Sequence, residues 1–147
     1  MKHLLLSIVL FGFVGSAAAQ DVASDVPFTV EYYYKVKWGY FDEWLALYKK
    51  NHWPFIDEAV KSGDMLSAVV HRPRNHAGEQ DRWDLRMTIT YKNILIAHGL
   101  DDFDIEAETK RLFPDQETFA VEEKRRFELL EEHIDIEISK IPTDGWR

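Results

Sequence analysis

The chain has 147 residues, with 18 lysines and arginines against 26 aspartates and glutamates, and it contains no cysteine. A net charge of −8 argues against a nucleic-acid partner or an anionic membrane surface. Disulfides are excluded, so stability must come from one buried apolar core, which a chain of this length can build.

The chain opens with Lys2 and His3, followed by an apolar run at residues 4–14 (LLLSIVLFGFV) and then Gly15-Ser16-Ala17-Ala18-Ala19. A charged start, a short apolar stretch and an Ala-x-Ala exit form the pattern of a cleaved signal peptide, with cleavage expected after Ala19. The run is too short to span a bilayer comfortably. The expected product is therefore periplasmic or secreted, with no membrane attachment after cleavage. No cysteine follows the cleavage point, which rules out a lipid anchor on that residue. Residues 20–27 read as a polar lead-in, 28–141 as one domain and 142–147 as a C-terminal tail.

The first predicted strand is 28–37 (FTVEYYYKVK). Phe28, Val30, Tyr32, Tyr34 and Val36 alternate with Thr29, Glu31, Tyr33, Lys35 and Lys37, a period of two in β-branched and aromatic residues. A helix follows over 40–61, with Phe41, Trp44, Leu45, Tyr48, His52 and Ile56 recurring every three or four residues. This spacing survives Pro54, so one kinked helix is expected: Pro54 has no N–H for the Lys50 carbonyl, and its ring crowds that oxygen. Residues 65–73 and 82–91 read as two strands of an antiparallel hairpin around a loop at 74–80. An interrupted helical region comes next. Asp101 is the expected cap of a short helix ending near Phe113, and Asp115 the cap of a longer one over 116–133. A last strand is expected over 134–141, with Ile134, Ile136 and Ile138 opposite Asp135, Glu137 and Ser139.

The order β-α-β-β-α-β predicts an α+β, ferredoxin-like plan with a four-stranded antiparallel sheet. Helices can cover only one face of such a sheet. The other is expected to carry Thr29, Tyr33, Asp84, Arg86 and Thr88, with Leu66, Ala68 and Val70 beside them. That mixture is too apolar for an ordinary wet face, so a homodimer packed sheet to sheet is expected, with Tyr33, Asp84 and Arg86 at the interface.

The segment TVEYYYKVKWG running into YFDEWLALYKKNHWPFIDE, with the hairpin and the later RRFELLEEHIDIEI, resembles the dimeric α+β barrel superfamily. That superfamily includes antibiotic-biosynthesis monooxygenase-like, stress-responsive barrel and NIPSNAP-like domains. The chain also resembles a group of exported bacterial proteins of unknown function within it. The resemblance spans about 28–141. It implies a dimeric α+β barrel with a ligand pocket between sheet and helices, in proteins that include cofactor-free oxygenases, haem-degrading enzymes and non-catalytic members.

His52 is the leading candidate for chemistry. It lies on the inward stripe beside the kink, and with Tyr34, Trp38 and Trp53 it can line such a pocket. A histidine there can act as base, orienting donor or haem ligand. The competing reading is structural: His52 bonds locally, Trp53 packs, and Pro54 curves the helix over the sheet. His71, His76 and His98 have no recognised zinc spacing, so no metal is expected. The run from Asp101 to Glu106 lacks the glycine and late glutamate of a calcium loop. Arg82-Trp83-Asp84-Leu85-Arg86 places three charged side chains on one strand face, suited to ion pairing or to holding an anion. No nucleophile elbow or phosphate loop appears.

Three functions follow from these readings. The first is an exported protein binding a small apolar or aromatic molecule in a sheet–helix cavity, with no required cofactor. The second is a monooxygenase-like enzyme, cofactor-free or haem-using, with His52 at the pocket. The third is a non-catalytic structural or protein-interaction dimer.

Overall fold

A computed structural model describes residues 26–75 and 77–146, so the expected signal peptide, most of the lead-in and His76 lie outside the described residues. Four strands form one antiparallel sheet: β1 (Phe28–Val36), β2 (Met65–His71), β3 (Leu85–Tyr91) and β4 (Leu130–Ile138), in the spatial order β2-β3-β1-β4. The helical elements are α1 (Phe41–Leu47), a π-helical turn (Tyr48–His52), α2 (Trp53–Ser62), α3 (Ile94–Ala97), α4 (Ile105–Leu112) and α5 (Gln116–Glu128). The strand order and the placement of helices make this the ferredoxin-like α+β plan.

The core lies between the sheet and the helices. Val30, Tyr34 and Val36 of β1 and Leu85, Met87, Ile89 and Tyr91 of β3 meet Trp44, Tyr48, Ile56 and Leu129. Alternation along β1 and β3 therefore sends these side chains to the helix side and Thr29, Glu31, Tyr33, Arg86 and Thr88 to the open side. Asp104, not Asp101, caps α4, its side chain accepting from the Ala107 N–H at 3.0 Å. Asp115 caps α5 as expected, accepting from the Thr118 N–H at 3.0 Å.

Three expectations about the open face need correction. The last strand starts at Leu130, four residues before the expected point, because β1 pairs with it from Thr29↔Ile138 to Lys35↔Glu132 and, past a register shift, at Val36↔Leu130. In that register Ile134 faces Tyr33 and Ile136 faces Glu31, which puts the isoleucines on the open side and His133, Asp135 and Glu137 on the helix side. Ala68 and Val70 pair with Ile89 and Met87, so both belong to the helix side, while Leu66 sits at a register shift and is exposed. Asp84 does not share a strand face with Arg86. β3 begins only at Leu85, and the Asp84 carboxylate turns into its own chain, accepting from the Val36 N–H at 2.8 Å.

Candidate functional site

The kink at 48–54 is a widened turn. The Trp53 N–H reaches back five residues to the Tyr48 carbonyl, the bond that defines a π-helix, immediately before the proline that cannot donate. Buried Asn51 projects from this turn and donates to Glu122 of α5 at 3.0 Å, while Lys50 pairs with the same carboxylate at 2.6 Å. The π turn thus locks the first helix to α5, and its insertion brings His52 round toward the aromatic core.

There His52 packs on Tyr48, with ring centroids 4.9 Å apart. Tyr48 donates to Met87 Sδ at 3.3 Å and meets Tyr34 edge-on at 5.5 Å. Tyr34 stacks on His133 at 4.4 Å. Buried Arg126 lies 5.8 Å from the Tyr48 ring and is held by Glu123 at 2.8 and 2.7 Å. Burial, reinforced by the Arg126 charge, pushes the His52 pKa down from 6.5 to about 4. Burial likewise lowers His133 and raises the Tyr34 phenol to about 12 and the Tyr48 phenol further still. At neutral pH this group therefore consists of neutral imidazoles and phenols around one neutralised guanidinium.

A pH-dependent stability follows. The folded pKa of His52 lies below its unfolded value, so only the unfolded chain gains the proton between about 6.5 and about 4. Stability should fall as pH drops through that window, by up to about 3 kcal/mol from this residue. In urea unfolding, His52→Gln should lose about 2 kcal/mol less than the wild type on going from pH 7 to about pH 4.5. Parallel losses in both proteins would contradict the assignment.

Four of the cavities on the described residues stand out. The largest of these four, about 520 Å3, lies between α2, the edge of the sheet and the α3–α4 segment, walled by Phe55, Ala59, Met65, Tyr91, Ile96 and Phe103. A second, about 400 Å3 and almost wholly apolar, sits under the π turn between Leu45, Tyr48, Trp53, Val70 and Leu85. One of about 270 Å3 holds Trp38, Arg72, Arg82 and Asp84 at the end of the sheet. One of about 210 Å3 lies on the open face beside Tyr33, Trp83, Ile134 and Ile136.

The expected pocket residues are thus dispersed. Trp53 lines the cavity under the π turn and Trp38 the one at the sheet end, while Tyr34 and His52 pack in the aromatic cluster and line none of the four. Trp38 is 67% exposed and stacks its ring 4.4 Å from the Arg82 guanidinium, with its indole N–H donating to Glu79. Tyr33 and Arg86 do share the open face. Arg86 lies 5.7 Å from the Trp83 ring and 3.6 Å from Glu31, and the Tyr33 hydroxyl donates to Glu31 at 2.6 Å. His71 ends β2 and His98 contacts Glu137 at 3.2 Å, and no metal-ligating group of three converges among the described residues. No histidine lines any of these four cavities.

Sequence reading missed the largest of these cavities and His133. The apolar concentration at Ile94, Leu95, Ile96, Leu100, Phe103 and Ile105, in a segment with no strand period, was the available signal for the first. The alternation of 130–138 (LEEHIDIEI) was the signal for the second.

No protein-family model matches the chain, and no curated protein does. Solved structures do. The chain is similar to a dimeric ferredoxin-like protein from an uncultured marine organism, with a TM-score of 0.52 at 7% identity over 82% of this chain and 95% of that one. It is also similar to a NIPSNAP family protein from Agrobacterium tumefaciens, with a TM-score of 0.48 at 12% identity over 83% and 100% of the two chains. A NIPSNAP domain protein from Burkholderia xenovorans aligns with a TM-score of 0.41 at 10% identity over 79% and 95%. The class is therefore ferredoxin-like α+β, the fold of the marine neighbour as well. At such identities the likeness speaks for the fold and not for the chemistry.

Proposed function

We propose that this chain is an exported homodimer that binds a small apolar or aromatic molecule in the cavity of about 520 Å3 between α2 and the α3–α4 segment. The observation that carries the reading is the cavity itself: its volume is that of a small-molecule site, and its walls are aromatic and aliphatic with a few polar groups at the edge. Tyr91 presents one such group, its hydroxyl in contact with that of Tyr32 at the wall. Titration calorimetry with 2-naphthylmethanol should detect binding in the micromolar to millimolar range. A folded Ala59→Phe protein, with a ring placed in the cavity, should bind at least about tenfold more weakly. Equal affinity in that variant would move the ligand out of this cavity.

The dimer is supported by the open sheet face, where Ile134, Ile136 and Ile138 are 42%, 44% and 42% exposed beside Val69 and Trp83. A dimeric description of a solved structure with this fold agrees with it. Export rests on the charged, apolar and Ala-x-Ala sequence at 1–19. The intact mass of protein recovered from the periplasm or the medium should correspond to a chain beginning at Gln20, and recovery of full-length chain in the cytoplasm alone would contradict export.

A further inference from the structure

The mouth of the large cavity carries unbalanced charge. Glu58, Asp64, Asp101 and Glu108 line it against one cation, Arg111. Arg111 grips Glu108 through Nε at 2.7 Å and also reaches Glu58 at 2.8 Å, while Lys61 adds a second contact to Glu58. Those cations account for Glu58 and Glu108. Asp64 and Asp101 have no basic partner among the described residues, and Asp64 receives only the Ser62 hydroxyl at 2.7 Å. The apolar wall continues outward at the same mouth, with Phe103 55% and Ile105 58% exposed.

An apolar interior that opens past two uncompensated carboxylates discriminates by charge. A neutral guest gains only from burial. An anion must approach Asp64 and Asp101 unscreened. A guest with an apolar body and a terminal ammonium gains at both ends, because its body removes the walls from water while its head stays hydrated between carboxylates. We infer that the ligand is an organic cation, an apolar or aromatic amine, with its body in the cavity and its ammonium at the rim carrying Asp64 and Asp101. The cavity makes the site and the carboxylates set its sign. This inference rests on the reading of the cavity as a ligand site.

Three probes of one shape test it: 2-naphthylmethylamine, 2-naphthylmethanol and 2-naphthoate, titrated calorimetrically into the full dimer at low salt. The amine should bind about tenfold tighter than the alcohol, and the carboxylate weakest of the three. The amine's advantage should shrink to about threefold or less in Asp64→Asn/Asp101→Asn and at about 0.5 M salt, with the alcohol's affinity unchanged in both cases. Amine and alcohol binding equally, or the carboxylate binding best, would overturn the charge assignment while leaving the cavity reading in place. Absence of binding by all three would overturn the cavity reading and this inference with it.

Discussion

Replacing Ile136 with lysine should convert the proposed dimer into a folded monomer. Ile136 is central among the three isoleucines that β4 sets on the open sheet face, with Ile134 and Ile138 two residues away on either side. About half of its surface is available for burial by a second copy. In a two-fold dimer every contact occurs twice, so the substitution removes two buried isoleucines and inserts two ammonium groups. Lost burial alone amounts to about 2–3 kcal/mol for the pair, and desolvating the lysines adds several more. Together they should weaken association at least about a thousandfold. Lysine suits the test because Glu31 lies directly across the ladder from position 136, so the protomer gains a cross-strand ion pair where it loses an exposed apolar side chain. Sedimentation equilibrium at micromolar protein should give a dimer mass for the wild type and a monomer mass for Ile136→Lys, with the same circular dichroism. A wild-type monomer, or an unchanged dimer in the variant, would remove the open face as the association surface.

The first strand and its partner in the core were legible because period-two alternation of Val30, Tyr32, Tyr34 and Val36 leaves little choice of side. The kink was legible as well, since Pro54 forces some departure from regular bonding, though the form it takes was not. A π turn inserts an extra residue, and only packing of Asn51 against Glu122 decides where that residue goes. The last strand exposes the main gap. An apolar triplet at Ile134, Ile136 and Ile138 does not reveal which sheet face it joins, because register with β1 decides, and a shift of one residue exchanges the two faces. Helix-like spacing over the preceding RRFELLEEH concealed where that strand begins. The candidate site was less legible than the fold. Its walls come from residues 55 to 111, brought together by the α3–α4 excursion, and no local pattern encodes that convergence. His52 was correctly placed on the inward stripe, yet an inward histidine beside Tyr48 and Arg126 packs into the core without meeting a cavity.

Arg82→Met should cost about 2–3 kcal/mol of stability, through charges stranded at the sheet end more than through lost volume. Arg82 is 9% exposed, and its fork makes three kinds of contact at once. Nη1 donates to the Val36 carbonyl at 3.0 Å and to Asp84, while Nη2 donates to Glu131 at 3.0 Å. Its flat face carries the Trp38 ring. The end of β1, the start of β3 and the start of β4 therefore meet on one guanidinium. Methionine can fill most of the space but supplies no donor, leaving the Asp84 carboxylate with only the Val36 N–H and the Val36 carbonyl without its side-chain donor. The partners Asp84 and Glu131 keep 22% and 30% of their side-chain surface in water, which holds the expected loss below that of a fully buried pair. Arg82→Lys should recover only part of it, since one ammonium cannot span Val36, Asp84 and Glu131 in a fixed fork or stack on Trp38. Guanidinium denaturation at pH 7 reads both variants. A methionine variant within about 0.5 kcal/mol of wild type would show that the sheet end is held by β-ladder bonds and apolar packing alone.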